Sequence, residues 1–408
     1  MTFEIRTVTA DELPGWIRTA EAAFGWTPSA EEIENDCRRL EVERSLAAVD
    51  RGRMVGATSA YSFNLTIPGP LSVPAAGVTA VGVLPTHRRR GILTALMRRQ
   101  LAEMRERGES LAVLYASEAP IYGRFGYGAA TTQADLHIDP RRVELREGIP
   151  QPGETTLVDR DEARHILPVV FDRFRREIPG QVDRPPGHWD AWFHDPDSHR
   201  GGASGRFYAV YTENGEHRGY AAYRVKGEWS EGTDGNIMRV TDLVATTATA
   251  YVGLWNYCLS VDLLPRVEVH HRPLDEPVRW MLSDSRQLRL RDVGDALWVR
   301  LADVAGALQA RHYAVEGTLT LQIHDPFCPE NTGIYRLDGG TNGATCRRVA
   351  DNPDLSMGVD VLGSLYLGGI TAGELARGGR IEQHRSGAVR RADLMFGTDQ
   401  APWCATHF

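Results

Sequence analysis

The chain has little material for a covalent or metal-held framework. Only five of its 408 residues are cysteine (Cys37, Cys258, Cys328, Cys346, Cys404), and none forms a C-x-x-C pair. An odd, dispersed set of this kind argues against a disulfide scaffold and offers no zinc-ligand spacing, so no metal is expected. Long apolar runs are also missing, and none approaches the ~20 residues of a membrane span. The stretch Met1–Asp11 lacks the apolar centre of a signal peptide, so a soluble, cytoplasmic protein with no membrane partner is expected. Net positive charge is absent too: the formal charge is −8, which argues against a nucleic-acid partner, since such proteins carry a basic surface. There is no low-complexity segment.

What is present is an ordinary globular composition, 42% hydrophobic and 25% charged, in a chain long enough for two or three domains. The first segment, 1–150, ends at a breaker-rich stretch, Gly148-Ile-Pro-Gln-Pro-Gly153. Its pattern predicts strands at Phe3–Val8, Ser45–Val49, Arg53–Phe63, Ala76–Val83 and Leu111–Tyr115, with helices from near Thr9 and over Gly91–Arg107. The second segment, 151–300, repeats that order weakly: a helix over Asp161–Arg176, strands at Phe207–Tyr211, Tyr220–Val225 and Ile237–Leu243, a helix over Thr249–Leu259, and a strand at Val267–His270. The third, 301–408, combines helical stretches (Leu301–Arg311, Asp360–Tyr366, Thr371–Ala376) with an alternating strand, Gly317–Ile323. The fold class is therefore α/β (α+β), with the second domain resembling a copy of the first.

The informative motif is Val78-Thr-Ala-Val-Gly-Val-Leu-Pro-Thr-His-Arg-Arg-Arg-Gly-Ile-Leu-Thr-Ala-Leu-Met97. A β-rich run stops at Pro85, and Arg88, Arg89, Arg90 and Gly91 lead into a helix whose apolar face is Ile92, Leu93, Leu96 and Met97. Such a junction aims free backbone N–H groups and the positive helix end at one spot, which suits a diphosphate. Gly91 would let the backbone approach the phosphates. The plainer reading is a basic surface turn before an ordinary helix, but strand, Pro, Arg-x-x-Gly spacing and apolar face all agree on an anion site.

The run Val83-x-Pro85-x-x-Arg88-x-x-Gly91-Ile92 resembles the coenzyme A pyrophosphate motif of the GNAT superfamily of N-acetyltransferases. Leu93 departs from the small residue usual there. Tyr122-Gly-Arg-Phe-Gly126-Tyr127 is similar to the superfamily's Tyr-x-x-x-Gly-aromatic element. More narrowly, Pro85–Gly91, Ala116-Ser-Glu118, Ile121–Gly128 and Asp360-Val-Leu-Gly-Ser-Leu-Tyr-Leu-Gly368 resemble the enhanced intracellular survival (Eis) acetyltransferases. The resemblance implies two tandem GNAT-like mixed-sheet domains, the first catalytic and the second degenerate, then a sterol-carrier-protein-like α+β domain, assembled as a homo-hexamer. It also implies acetyl-CoA as co-substrate. The junction after Val240–Ala245 reads Thr-Thr-Ala-Thr-Ala, without arginine or glycine, so one coenzyme per chain is expected.

Acetyl transfer from a thioester to an amine needs a neutral amine, a donor for the developing oxyanion and a proton for the departing thiolate. The resemblance implies coenzyme contacts from the Val81-Gly82-Val83 backbone, from Arg88 to Thr94, and from Ser117 and Glu118. Tyr122 is the candidate general acid, because a phenol with pKa roughly 10 carries a proton at neutral pH. A packed tyrosine is the alternative, and Tyr127 is the competitor, read as structural. The base implied by the resemblance is the C-terminal α-carboxylate of Phe408, with His407 a second possibility; a disordered tail is the default for a chain end. Trp26 and His407 stand where aminoglycoside-acetylating relatives carry acids, and are candidate substrate contacts that would favour a less cationic amine. Trp26 could equally be a buried helix-end aromatic. A small-molecule amine, aminoglycosides first, is the expected acceptor. A lysine or peptide-like natural-product acceptor is the alternative, and a lipid carrier working through the third domain is a different class again.

Overall fold

The computed structural model describes residues 3–69, 71–227 and 235–408. Strand β1 (Glu4–Thr7) pairs antiparallel with β2 (Leu46–Asp50), and helices α1 (Leu13–Ala23) and α2 (Ala30–Arg39) lie between them in sequence. In α1, Leu13, Trp16, Ile17, Ala20 and Ala23 are buried, an apolar stripe of helical period that packs the helix against the sheet. Helix α2 is started by a capping box in which Ser29 Oγ accepts from Glu32 N and the Glu32 carboxylate accepts from Ser29 N. The long hairpin β3 (Arg53–Ile67) and β4 (Leu71–Val83) is followed by α3 (Ile92–Glu106), β5 (Leu111–Tyr115), α4 (Ala119–Tyr122) and the two-residue β6 (Gly128–Ala129).

The chain then enters its second compact unit, Thr132–Asp295. Here β7 (Thr132–Ile138), β8 (Glu154–Val158), α5 (Arg160–Arg175), α6 (Pro186–Phe193), β9 (Phe207–Glu213), β10 (Glu216–Lys226), β11 (Ile237–Ala245), α7 (Ala248–Ser260), β12 (Arg266–Pro273), α8 (Val278–Met281) and β13 (Arg289–Asp295) follow. Its sheet runs β13-β7-β12-β11-β10-β9-β8. The crossing therefore falls at Thr131–Thr132, ahead of the breaker-rich stretch 148–153 where a boundary was expected. The reason is pairing: β7 lies between β12 and β13 in the second sheet.

The reverse exchange follows. β14 (Leu297–Leu301) returns to the first sheet, whose order is β1-β2-β3-β4-β5-β14-β6, pairing Leu297–Leu301 with Tyr115–Leu111. The expected boundary at 300 cuts this strand. All five of its side chains are buried, including Arg300, whose guanidinium donates to Asp325 at 2.7 Å. The Asp325 carboxylate also accepts from Cys328 N and Asn331 Nδ2, so a wholly buried charge pair has the further hydrogen bonds it needs.

The rest of the first unit comprises α9 (Val304–Ala310), β15 (Gly317–His324), β16 (Gly333–Gly340), β17 (Gly343–Arg348), β18 (Leu355–Gly358), α10 (Val359–Tyr366), α11 (Ala372–Arg377), β19 (Ile381–Gln383) and α12 (Ala388–Phe396). Their sheet runs β17-β16-β15-β18-β19. Buried Arg311 donates to the carbonyls of Tyr366 and Phe396, the last residues of α10 and α12. A cation is thereby set at the negative ends of two helices, with the rings of Tyr313 and Phe396 4.6 and 4.7 Å away. Among the described residues, no helix is long and apolar enough to cross a membrane, and no group of His, Cys, Asp and Glu could hold a metal ion.

Replacing Arg300 by Met should strand the Asp325 charge in the interior. A loss of about 3–5 kcal/mol is expected, seen as an earlier urea-unfolding transition.

Candidate functional site

β4 and β5 pair in parallel only from Ala75–Gly77 to Leu111–Val113. Beyond that step β4 stays paired with β3, and β5 with β14. The β3–β4 ladder itself is irregular where Ala57 faces Gly82 and Ser59 faces Thr79, so Ala80 and Val81 are skipped, with Ala80 at φ 53°. This bulge turns the backbone at Val81 out of regular pairing.

Two cavities flank it. One, of about 690 Å³, is lined by Val81, Gly82, Val83, Arg88, Arg89, Gly91, Ile92, Leu93, Thr94, Ser117 and Glu118, together with Ala23, Phe24, His87, Ile121 and Arg124. The other, of about 230 Å³, is lined by α1 (Trp16, Ile17, Ala20, Glu21), α2 (Asp36, Arg39), Leu40, Tyr61, Val78–Val81, Tyr115, Tyr122 and Phe408, with Phe24 and Ser117 again present. Phe24, Val81 and Ser117 are common to both.

In the larger cavity Gly91 is the N-cap of α3 at φ 82°, and a Cβ there would meet nothing within 4 Å. The first N–H groups of α3, which have no partner within the helix, thus begin at an open, cationic cradle that fits a diphosphate. The three arginines divide. Arg89, itself at φ 60°, and Arg88 line the cavity, although Arg88 also donates to Ala23 O at the end of α1, 3.0 Å. Arg90 instead pairs with Asp50 at 3.0 Å and is not on the cavity wall. Leu93 lines the cradle as a half-buried side chain, so its bulk is accommodated.

In the smaller cavity Tyr122 is 5% exposed. Burial raises its pKa, and a hydrogen bond with Ser117 opposes the rise only in part. Tyr127 is wholly buried and lines neither cavity. The tail is docked: Trp403 and Cys404 are buried, and Tyr115 Oη donates to the carbonyls of Cys404 and Thr406 at 3.3 and 3.2 Å. The Phe408 ring lies 5.0 Å from Phe63 and 5.3 Å from Tyr115. His407 is exposed and stacks on Tyr115 at 4.0 Å without lining the cavity. Trp26 is neither a buried helix-end aromatic nor a wall residue: it is 60% exposed in the turn after α1, and Phe24 occupies the wall instead.

Sequence reasoning missed the polar lining contributed by α1 and α2. The available signal was Glu21, four residues after Ile17 on the otherwise apolar face of α1. Burial first, then Asp36 and Glu32, raise its pKa, while Arg39 opposes.

A cleft at a strand splay, beside a glycine-started helix, is the arrangement of an acetyltransferase. Family models agree: an acetyltransferase (GNAT) domain matches residues 4–130, a second acetyltransferase (GNAT) domain 180–301, and a sterol carrier protein domain 304–405. An uncharacterized N-acetyltransferase of Streptomyces coelicolor is 40% identical over 99% of both chains. N-acetyltransferase Eis of Mycobacterium tuberculosis is 33% identical over 98% of both. The crystal structure of Eis1 from Mycobacterium abscessus superposes with a TM-score of 0.88 at 34% identity, covering 99% of this chain and 100% of that one. The chain belongs to the Eis family of GNAT N-acetyltransferases, and as a GNAT enzyme it uses acetyl-CoA.

Arg89→Glu with Gly91→Asp should abolish coenzyme binding in calorimetry. Arg90→Gln, whose partner is Asp50, should change affinity by less than about tenfold, or ~1.4 kcal/mol.

Proposed function

We propose that this enzyme acetylates an amine of a small molecule, with acetyl-CoA bound in the larger cavity and the acceptor in the smaller one. The observation that carries the reading is the meeting of the two cavities at Phe24, Val81 and Ser117, with Tyr122 and Phe408 on the acceptor side. The acceptor cavity, about 230 Å³, compares with the ~300–1,000 Å³ of drug-sized ligand sites, which favours a small amine over a folded protein. The homo-hexamer implied by the family resemblance belongs to the same reading.

Acetyl-CoA supplies the acetyl group as a thioester. Arg88, Arg89 and the backbone of Gly91–Thr94 hold the diphosphate, and the bulged backbone at Val81 offers its N–H to the carbonyl oxygen. Tyr122 gives its proton to the departing sulfur. Its raised pKa keeps it protonated through neutral pH, so loss of the acid form moves above the ordinary phenol range of about 10. The α-carboxylate of Phe408, directly or through a water, takes the proton from the amine. The aromatic packing around Phe408 gives the chain end the fixed position that role needs.

A thiol-release assay against a panel of amines tests the reaction itself. Tyr122→Phe should lower turnover by ~10²–10⁴-fold with coenzyme affinity nearly unchanged; a fall of less than about threefold would assign the proton elsewhere. Deleting Phe408, or extending the chain beyond it, should abolish transfer and leave coenzyme affinity and thermal stability close to native, whereas an N-terminal tag should be harmless.

A further inference from the structure

The second unit has a cavity of its own, of about 670 Å³, which shares no residue with the two cavities of the first. Five arginines and two aspartates are on its walls, a surplus of three positive charges in a chain whose formal charge is −8. It lies where β12 begins, at Pro265 and Arg266. The parallel ladder of β12 with β11 starts at Arg266 and ends at Val269. The cavity is therefore at the starting end of that ladder, away from its splay, and is not the counterpart of the coenzyme cradle.

Separate segments bring the arginines together. Arg289 and Arg291 are on β13, and Leu290 between them packs on the core of the second unit. Strand alternation thus holds both guanidinium groups on the outer face. Arg141 and Arg142 come from the turn after β7, and Arg266 from the first position of β12. Charge on an edge strand such as β13 can serve only to block further pairing. That reason does not extend to Arg266, because β12 lies inside the sheet between β7 and β11. The charges are also unequally satisfied. Asp139 takes Arg141 at 3.0 Å and Arg142 at 3.5 Å. Arg266 shares the Glu268 carboxylate, 3.7 Å away, with Arg239 at 3.6 Å. The side chains of Arg289 and Arg291 are exposed and have no ion-pair or hydrogen-bond partner among the described residues.

The shape and chemistry narrow the ligand. The volume falls within the ~300–1,000 Å³ of small-molecule sites. No Phe, Tyr or Trp is on the wall, so the bases of a single strand would have nothing to stack on. Guanidinium forks match phosphate oxygens two at a time. We infer that this cavity binds a small polyphosphorylated anion, with Arg289 and Arg291 as its main contacts and Arg266 completing the site. The assignment is separate from acetyl transfer and does not depend on which amine is the acceptor.

The test is calorimetric titration of tripolyphosphate into the full chain. The cradle at Gly91 suits phosphates too, so the Arg89→Glu, Gly91→Asp variant serves as the background. One equivalent per chain should still bind to it. Adding Arg289→Gln and Arg291→Gln should weaken that binding at least about tenfold, the size of one charge-assisted contact. Arg141→Gln, whose side chain is already paired with Asp139, should weaken it less. Added salt should lower the affinity, because the arginines are exposed and screened. All the substituted side chains in this cavity are on the surface, and an unchanged melting temperature reports an intact fold. Absence of binding to the background variant, or binding that survives loss of Arg289 and Arg291, would overturn the assignment. So would equal affinity for sulfate, which would reduce it to general charge attraction. Binding of hexaglutamate in place of tripolyphosphate would overturn it as well, and would make this face a dock for an acidic protein segment.

Discussion

The two cavities of the first unit depend on two parallel strands that stop pairing. β4 and β5 share a short ladder and then separate, because β4 is committed to β3 on one side and β5 to β14 on the other. Backbone groups that leave a ladder must find other partners or open onto solvent-accessible space. Here they open onto two cavities that touch at Val81. The bulge at Ala80 and Val81 adds a local turn in the same place.

The second unit repeats part of this plan with a different helix start. β11 and β12 again form a parallel step, Ile237–Val240 against Arg266–Val269, and α7 follows β11 as α3 follows β4. Yet Thr247 caps α7 with its own side chain, accepting from Ala250 N at 3.1 Å. That helix start is satisfied by its own side chain, and the stretch 240–250 leading into it contains neither arginine nor glycine. The first unit differs because Gly91 caps α3 without a side-chain hydrogen bond.

Long-range closure comes from segments far along the chain. β14 completes the first sheet, and the tail after α12 carries Phe408 back to Tyr61, Phe63 and Tyr115. Arg311 secures the region from which that tail departs, since it holds the carboxyl ends of α10 and α12 together. The smaller cavity is thus walled by residues of α1 and α2 and by Phe408 from the tail.

Local patterns were enough to reveal the arginines, the glycine-started helix behind them and the element order around it. The run from Val78 to Met97 holds strand, breaker, cations, glycine and apolar helix face within one contiguous stretch, and α3 begins within one residue of its expected start. The family resemblance carried the three-domain plan. Tertiary structure alone decided the rest. The exchange of β7 and β14 between sheets was invisible because strand pairing is set by partners more than a hundred residues away, and Leu297–Leu301 reads locally as any buried strand. Arg88, Arg89 and Arg90 are chemically alike in sequence; only the fold gives Arg90 to Asp50 and leaves Arg89 at the cradle. Likewise, whether an aromatic after α1 or a glutamate within it faces the smaller cavity depends on how the helix is rotated against the sheet. That rotation brought Glu21, and with it Phe24, to the cavity wall and left Trp26 off it, because burial of Trp16, Ile17 and Ala20 fixed which side of α1 the sheet would cover.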